Sequence, residues 1–161
     1  MLYRRAVLIA VSAVALLSAA ADCSMTADTS GTDETVAVPV PDARAAGYCR
    51  ALHRELPPKV EGLSRHDLKP ESEFTAGWGD PAIQLRCGVP RPEILKDPAA
   101  AGVTVDGVGW VIEQRPGGVF RLTTTLRKAY VEVTLPTKWA GDVGALTDLA
   151  GPVRKTIPEG V

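Results

Sequence analysis

Apolar residues follow three rhythms along this chain, and each predicts a different kind of element. From Ala6 to Ala21 apolar and small residues run on for sixteen positions behind Met1-Leu-Tyr-Arg4-Arg5. That is short of the roughly 18 to 20 residues that cross a bilayer as a stable helix. Charge, then an apolar stretch, then small residues is the order of an export signal. Over residues 44–56 the apolar positions Ala45, Tyr48, Cys49, Leu52 and Leu56 form a helical stripe, stopped by Pro57-Pro58. His53, Arg50, Arg54 and Glu55 fall off that stripe and are expected in solvent.

The third rhythm is alternation. Ile83, Leu85 and Cys87 alternate with Gln84 and Arg86, which predicts a strand with one buried face. Asp80-Pro81 just before it suits a type I turn. Val108, Trp110 and Ile112 alternate in the same way, as do Phe120, Leu122, Thr124 and Leu126, and then Val131, Val133 and Leu135. Pro116-Gly117 between the first two runs fits a type II turn. Val60 to Leu68 is polar and irregular and fits a short edge strand. A last helix from about Asp142 is expected to bury Val143, Leu146, Leu149, Val153 and Ile157, with a kink or break at Gly151-Pro152. The elements sum to an α+β domain over residues 44–158, a mostly antiparallel sheet of four to five short strands with an N-terminal and a C-terminal helix packed on one face.

Residues 1–22 are read as the export signal and 23–43 as a disordered tether. The tether carries four Thr and the acids Asp28, Asp33, Glu34 and Asp42, with no Lys, Arg or aromatic residue. Such a stretch buries too little apolar surface to offset its ordering entropy, and as a coil it spans about 25 Å on average. Two processing routes compete at the end of the signal. Ala19-Ala20-Ala21-Asp22-Cys23 ends in a cysteine behind small residues, as a lipoprotein signal does, although Asp22 departs from the small residue usual there. Cleavage after Ala21 by an ordinary signal peptidase is the alternative. Acylation of Cys23 is the expected route, because a free thiol near a mature N-terminus is an odd thing for an exported protein to keep. Arg4-Arg5 is read as the positive end of a general secretory signal rather than a twin-arginine one.

Composition narrows the function by exclusion. Past Cys23 the chain holds sixteen Lys and Arg against eighteen Asp and Glu, so no clustered basic surface for nucleic acid is visible. Cys49 and Cys87 remain as a pair in an oxidising compartment, where a disulfide is expected and two buried free thiols are the alternative. No metal site or cofactor is expected, with only two His and no CxxC. The string Ser64-Arg65-His66-Asp67 holds triad letters, but neighbours in an extended segment point to opposite faces. Trp78, with Asp80, Arg86 and Arg91 near it in sequence, could stack on or grip an anionic ligand. Equally, Trp78 caps the core while Arg86 pairs with an acid.

The string from Ala76 to Pro92, with Cys49-x-x-Leu52-x-x-x-Leu56-Pro57 before it and Val105-Asp-Gly-Val108-Gly-Trp110 after it, resembles an actinobacterial family of small exported proteins. That family is catalogued only as a domain of unknown function, and many members are taken to be lipoproteins. The likeness covers residues 45–157. It implies a cell-envelope location and supplies no activity. Many members carry a further cysteine before the Val-x-Gly-Val segment, where this chain reads Ala99-Ala-Ala-Gly102. Within the resemblance, that departure leaves Cys49 and Cys87 to pair.

Two functions follow as expectations. One is a non-catalytic binding module, lipid-anchored through Cys23 to the outer face of the cytoplasmic membrane, with an envelope protein or cell-wall component as partner. The other is an envelope hydrolase using His66 with Asp67 or Asp80. A soluble secreted protein is the alternative location.

Overall fold

The computed structural model describes residues 35–160. The expected signal, Cys23 and the tether as far as residue 34 lie outside the described residues. The end of the segment read as tether is held by the domain. Val36 is buried with Leu68 and Ala82, and its N–H donates to the Lys69 carbonyl at 2.8 Å. Asp42 accepts from the N–H groups of Arg44 and Ala45, both at 2.9 Å, and so satisfies donors that a first helical turn leaves orphaned. Helix α1, Ala43–Glu55, follows and buries Ala45, Ala46, Cys49 and Leu52.

The sheet has eight strands, all antiparallel, which corrects the expected four to five. They are β1 Lys59–Val60, β2 Leu63–His66, β3 Thr75–Trp78, β4 Ile83–Val89, β5 Gly102–Val105, β6 Val108–Arg115, β7 Val119–Thr124 and β8 Tyr130–Leu135. Their spatial order is β1-β2-β3-β4-β8-β7-β6-β5. Two four-stranded meanders therefore lie side by side, joined where β8 returns along β4 with Leu85 opposite Val133 and Arg86 opposite Glu132.

Of the strands beyond the expected set, β5 alternates, but over only four residues, and β3 has no pattern to show. All four positions of β3 are buried, so nothing alternates. The stretch read as one edge strand is β1 and β2, turned by Glu61 and Gly62 with φ of 52° and 74°. Gly117, with φ 79° and ψ 11°, takes the second central position of the expected type II turn. The Asp80-Pro81 bond is cis, and residues 79–82 turn the chain from β3 to β4.

Helix α2, Gly144–Thr156, buries Leu146, Leu149 and Val153, and Ile157 is buried just beyond it. Val143 is instead 47% exposed, because it precedes the helix as its N-cap. Pro152 does not break α2. The residue before it is Gly151, which has no Cβ to meet the pyrrolidine ring, and the buried Val153 and Ile157 hold the last turn in place.

One core gathers residues of both helices with Ile83, Leu85, Cys87, Val108, Trp110, Leu122, Val131 and Val133 from one face of the sheet. A disulfide between Cys49 and Cys87 staples α1 to β4. Every residue out of phase with those inward positions points to the opposite face, which neither helix covers.

Candidate functional site

Trp78 is not available for stacking. It is fully buried, and its indole N–H donates to the Pro57 carbonyl at 3.1 Å, holding the end of α1 on the sheet. Trp78 thus separates from Arg86, which lies on the opposite face because it sits between the inward Leu85 and Cys87.

That opposite face carries a row of charges assembled across strands. Arg86 on β4 donates to Glu132 on β8 at 2.9 Å. The other oxygen of Glu132 lies 3.5 Å from Arg121 Nε on β7, and Arg121 lies 4.0 Å from Glu113 on β6. Glu113 lies 3.9 Å from Arg115 on its own strand. Arg91, beyond the end of β4, donates to the Tyr130 hydroxyl at 3.0 Å. Register dictates this order, since Arg86 stands opposite Glu132 and Arg121 opposite Glu113. Burying Glu132 costs solvation, and two guanidinium groups offset that cost. Thr123, opposite Glu132, is fully buried, and neither its hydroxyl nor Arg86 Nε has a hydrogen-bond partner among the described residues.

Gln84 and Thr134 continue the same face toward β3, where Gly77 leaves room for two neighbours. A Cβ there would come within 2.7 Å of Leu68 Cδ2 and 3.0 Å of His66 Nε2. At the far side a 3-10 turn, Glu93–Lys96, packs on β6. It helps enclose an open cleft of about 320 Å³ lined by Leu95, Asp97, Thr104, Gly109, Val111 and Thr125.

The two histidines do not share a site. His66 is exposed on the charged face, and its side chain makes no hydrogen bond or ion pair among the described residues. Asp67 and Asp80 are exposed as well. His53 lies on the helix side and, contrary to expectation, is half-buried. Arg65 Nη2 lies 3.0 Å from His53 Nε2, while Arg65 Nη1 donates to the His53 carbonyl at 3.1 Å. A guanidinium only donates, so Nε2 accepts and the ring proton sits on Nδ1, which is buried without a partner. Burial, then the charge of Arg65, holds the His53 pKa below its ordinary 6.5, against the opposing pull of Asp67 and Glu73. No group of three or more His, Cys, Asp or Glu that could hold a metal occurs among the described residues. None of their helices is long and apolar enough to cross a membrane.

Of the candidate ligand residues, the structure keeps Arg86 and Arg91 on one face and removes Trp78 to the core. It adds Arg121, Glu132, Glu113 and Arg115, which sequence reading passed over. Their signal was present as charge at the out-of-phase positions of three alternating strands, but only cross-strand register shows that they meet.

The chain belongs to the family described as protein of unknown function DUF3515, whose model matches residues 7–161. No curated protein and no solved structure is significantly similar to it.

Proposed function

We propose that this chain is an exported envelope protein, anchored by a lipid on Cys23 to the outer face of the cytoplasmic membrane. Its domain acts as a non-catalytic binding module whose contact surface is the charged face of the sheet opposite α1 and α2. The observation that carries this reading is the charged row Arg86–Glu132–Arg121–Glu113–Arg115 on a face left bare by both helices. Charged groups gathered across four strands cost solvation and add little to stability, which favours recognition as their use. The Cys49–Cys87 disulfide supports an oxidising compartment. The apolar run ending at Cys23 supports export and acylation. A single acyl chain anchors only marginally, whereas two give stable attachment.

Mass spectrometry of the native chain, combined with cross-linking in intact cells, tests both halves. The expected result is an acylated Cys23 at the mature N-terminus and adducts that map to the sheet face. An unmodified N-terminus at Asp22 with release into the medium would remove the anchoring, and adducts confined to α1 and α2 would remove the surface.

A further inference from the structure

We infer that the charged sheet face opposite α1 and α2 binds an extended polyanion, a polymer carrying phosphate or carboxylate groups at intervals along its chain. The inference rests on that face being the binding surface and adds the chemistry of its ligand.

Geometry comes first. Arg91 stands beyond the C-terminal end of β4, Arg86 at the middle of that strand, Arg121 on β7 level with Thr134, and Arg115 at the end of β6. In register these positions form a diagonal from one corner of the face to the other, across β4, β8, β7 and β6. Three strand spacings of about 4.8 Å make it roughly 15 Å wide before its slant is added. A stripe of that length suits an elongated ligand better than a single ion.

Charge comes second. Four arginines against the two glutamates Glu113 and Glu132 leave a surplus of two positive charges here, on a chain whose net charge is −1. Asp97 lines the cleft at the Gly109 end of β6, away from Arg115. Lys96 and Glu93 neutralise each other at 2.6 Å.

Depth comes third and decides the sign. The Glu132 and Glu113 side chains are 8% and 19% exposed, whereas Arg86, Arg121 and Arg115 are 22%, 32% and 47% exposed. The carboxylates are the more buried partners and the arginines the more exposed ones. Each guanidinium has five donors; Arg86 spends one on Glu132 and keeps its Nε buried, which leaves three. An approaching polymer therefore meets positive charge and spare donors first. The planar fork of arginine matches phosphate and carboxylate oxygens in pairs.

The test titrates the isotope-labelled full chain, held in neutral detergent, with long-chain inorganic polyphosphate, inorganic phosphate, neutral dextran and polylysine. Polyphosphate should shift the amides of Arg86, Arg115, Arg121 and Thr134 in a saturable way, and more tightly than inorganic phosphate. Its affinity should fall more than about tenfold between about 50 and about 200 mM salt, as expected for a few guanidinium–anion contacts. Arg115→Gln should weaken binding and Glu113→Gln should tighten it, with melting temperatures confirming that both variants are folded. Polyphosphate acting only elsewhere on the domain, or the two variants moving affinity in the same direction, overturns the inference. Dextran or polylysine shifting this face while polyphosphate does not would overturn the ligand class but keep the face as the binding surface.

Discussion

His53 shows how one partner sets a side chain's chemistry. Its Nε2 faces the Arg65 guanidinium at 3.0 Å and its Nδ1 is buried, so protonation puts two cations in contact. The folded-state pKa is depressed below the unfolded value of 6.5. The stability that neutral His53 contributes is therefore present above that value and lost as pH falls through the folded pKa. Unfolding followed from pH 7 downward should show the wild type losing stability faster than His53→Gln once the pH passes below 6.5. Parallel curves would mean that the contact has no energetic weight. Glu132 makes the complementary case. Glu132→Gln removes the charge shared by Arg86 and Arg121 and should cost about 1 to 3 kcal/mol, moderated because both arginines reach solvent. Arg115→Gln, at the exposed end of the row, should cost less than about 0.5 kcal/mol. Equal losses in denaturant melts would show that depth does not grade this row.

At the scale of elements, the Cys49–Cys87 bond ties α1 to β4 across a sequence separation of 38. Closing a loop of that size restricts the unfolded chain and contributes about 4 kcal/mol by chain entropy. Reduction, or Cys49→Ser, should lower the melting temperature strongly, and an unchanged melt would contradict the staple. The pairing was legible in the sequence because both cysteines sit in phase with apolar neighbours, Cys49 with Leu52 on a helix and Cys87 with Leu85 on a strand. Both helices and the four long strands were legible for the same reason. β1 and β3, which have no period, were not, and neither was β5, which alternates over only four residues. β3 is buried at every position, and β1 has two residues. Trp78 drew attention as a candidate ligand platform because it lies near Arg86 in sequence. In a strand, what decides is which face a side chain shares, and Trp78 falls with the core.

For the whole molecule, the decisive feature is the difference between the two sides of the sheet. One side holds both helices and the apolar core, and the other holds arginines, glutamates and threonines brought together by the joining of two meanders along β4 and β8. Neither meander alone contains the row, since Arg86 comes from the first and Glu132, Arg121 and Glu113 come from the second. No local sequence pattern could therefore announce it. Site-specific photo-cross-linking in intact cells reports directly on which side meets a partner. A photoreactive residue replacing Thr134, in the middle of the charged face, should give discrete adducts with an anionic envelope component. The same residue replacing Arg54, exposed on α1, should give none. Adducts from position 54 with silence at position 134 would contradict the assignment of the charged sheet face as the binding surface.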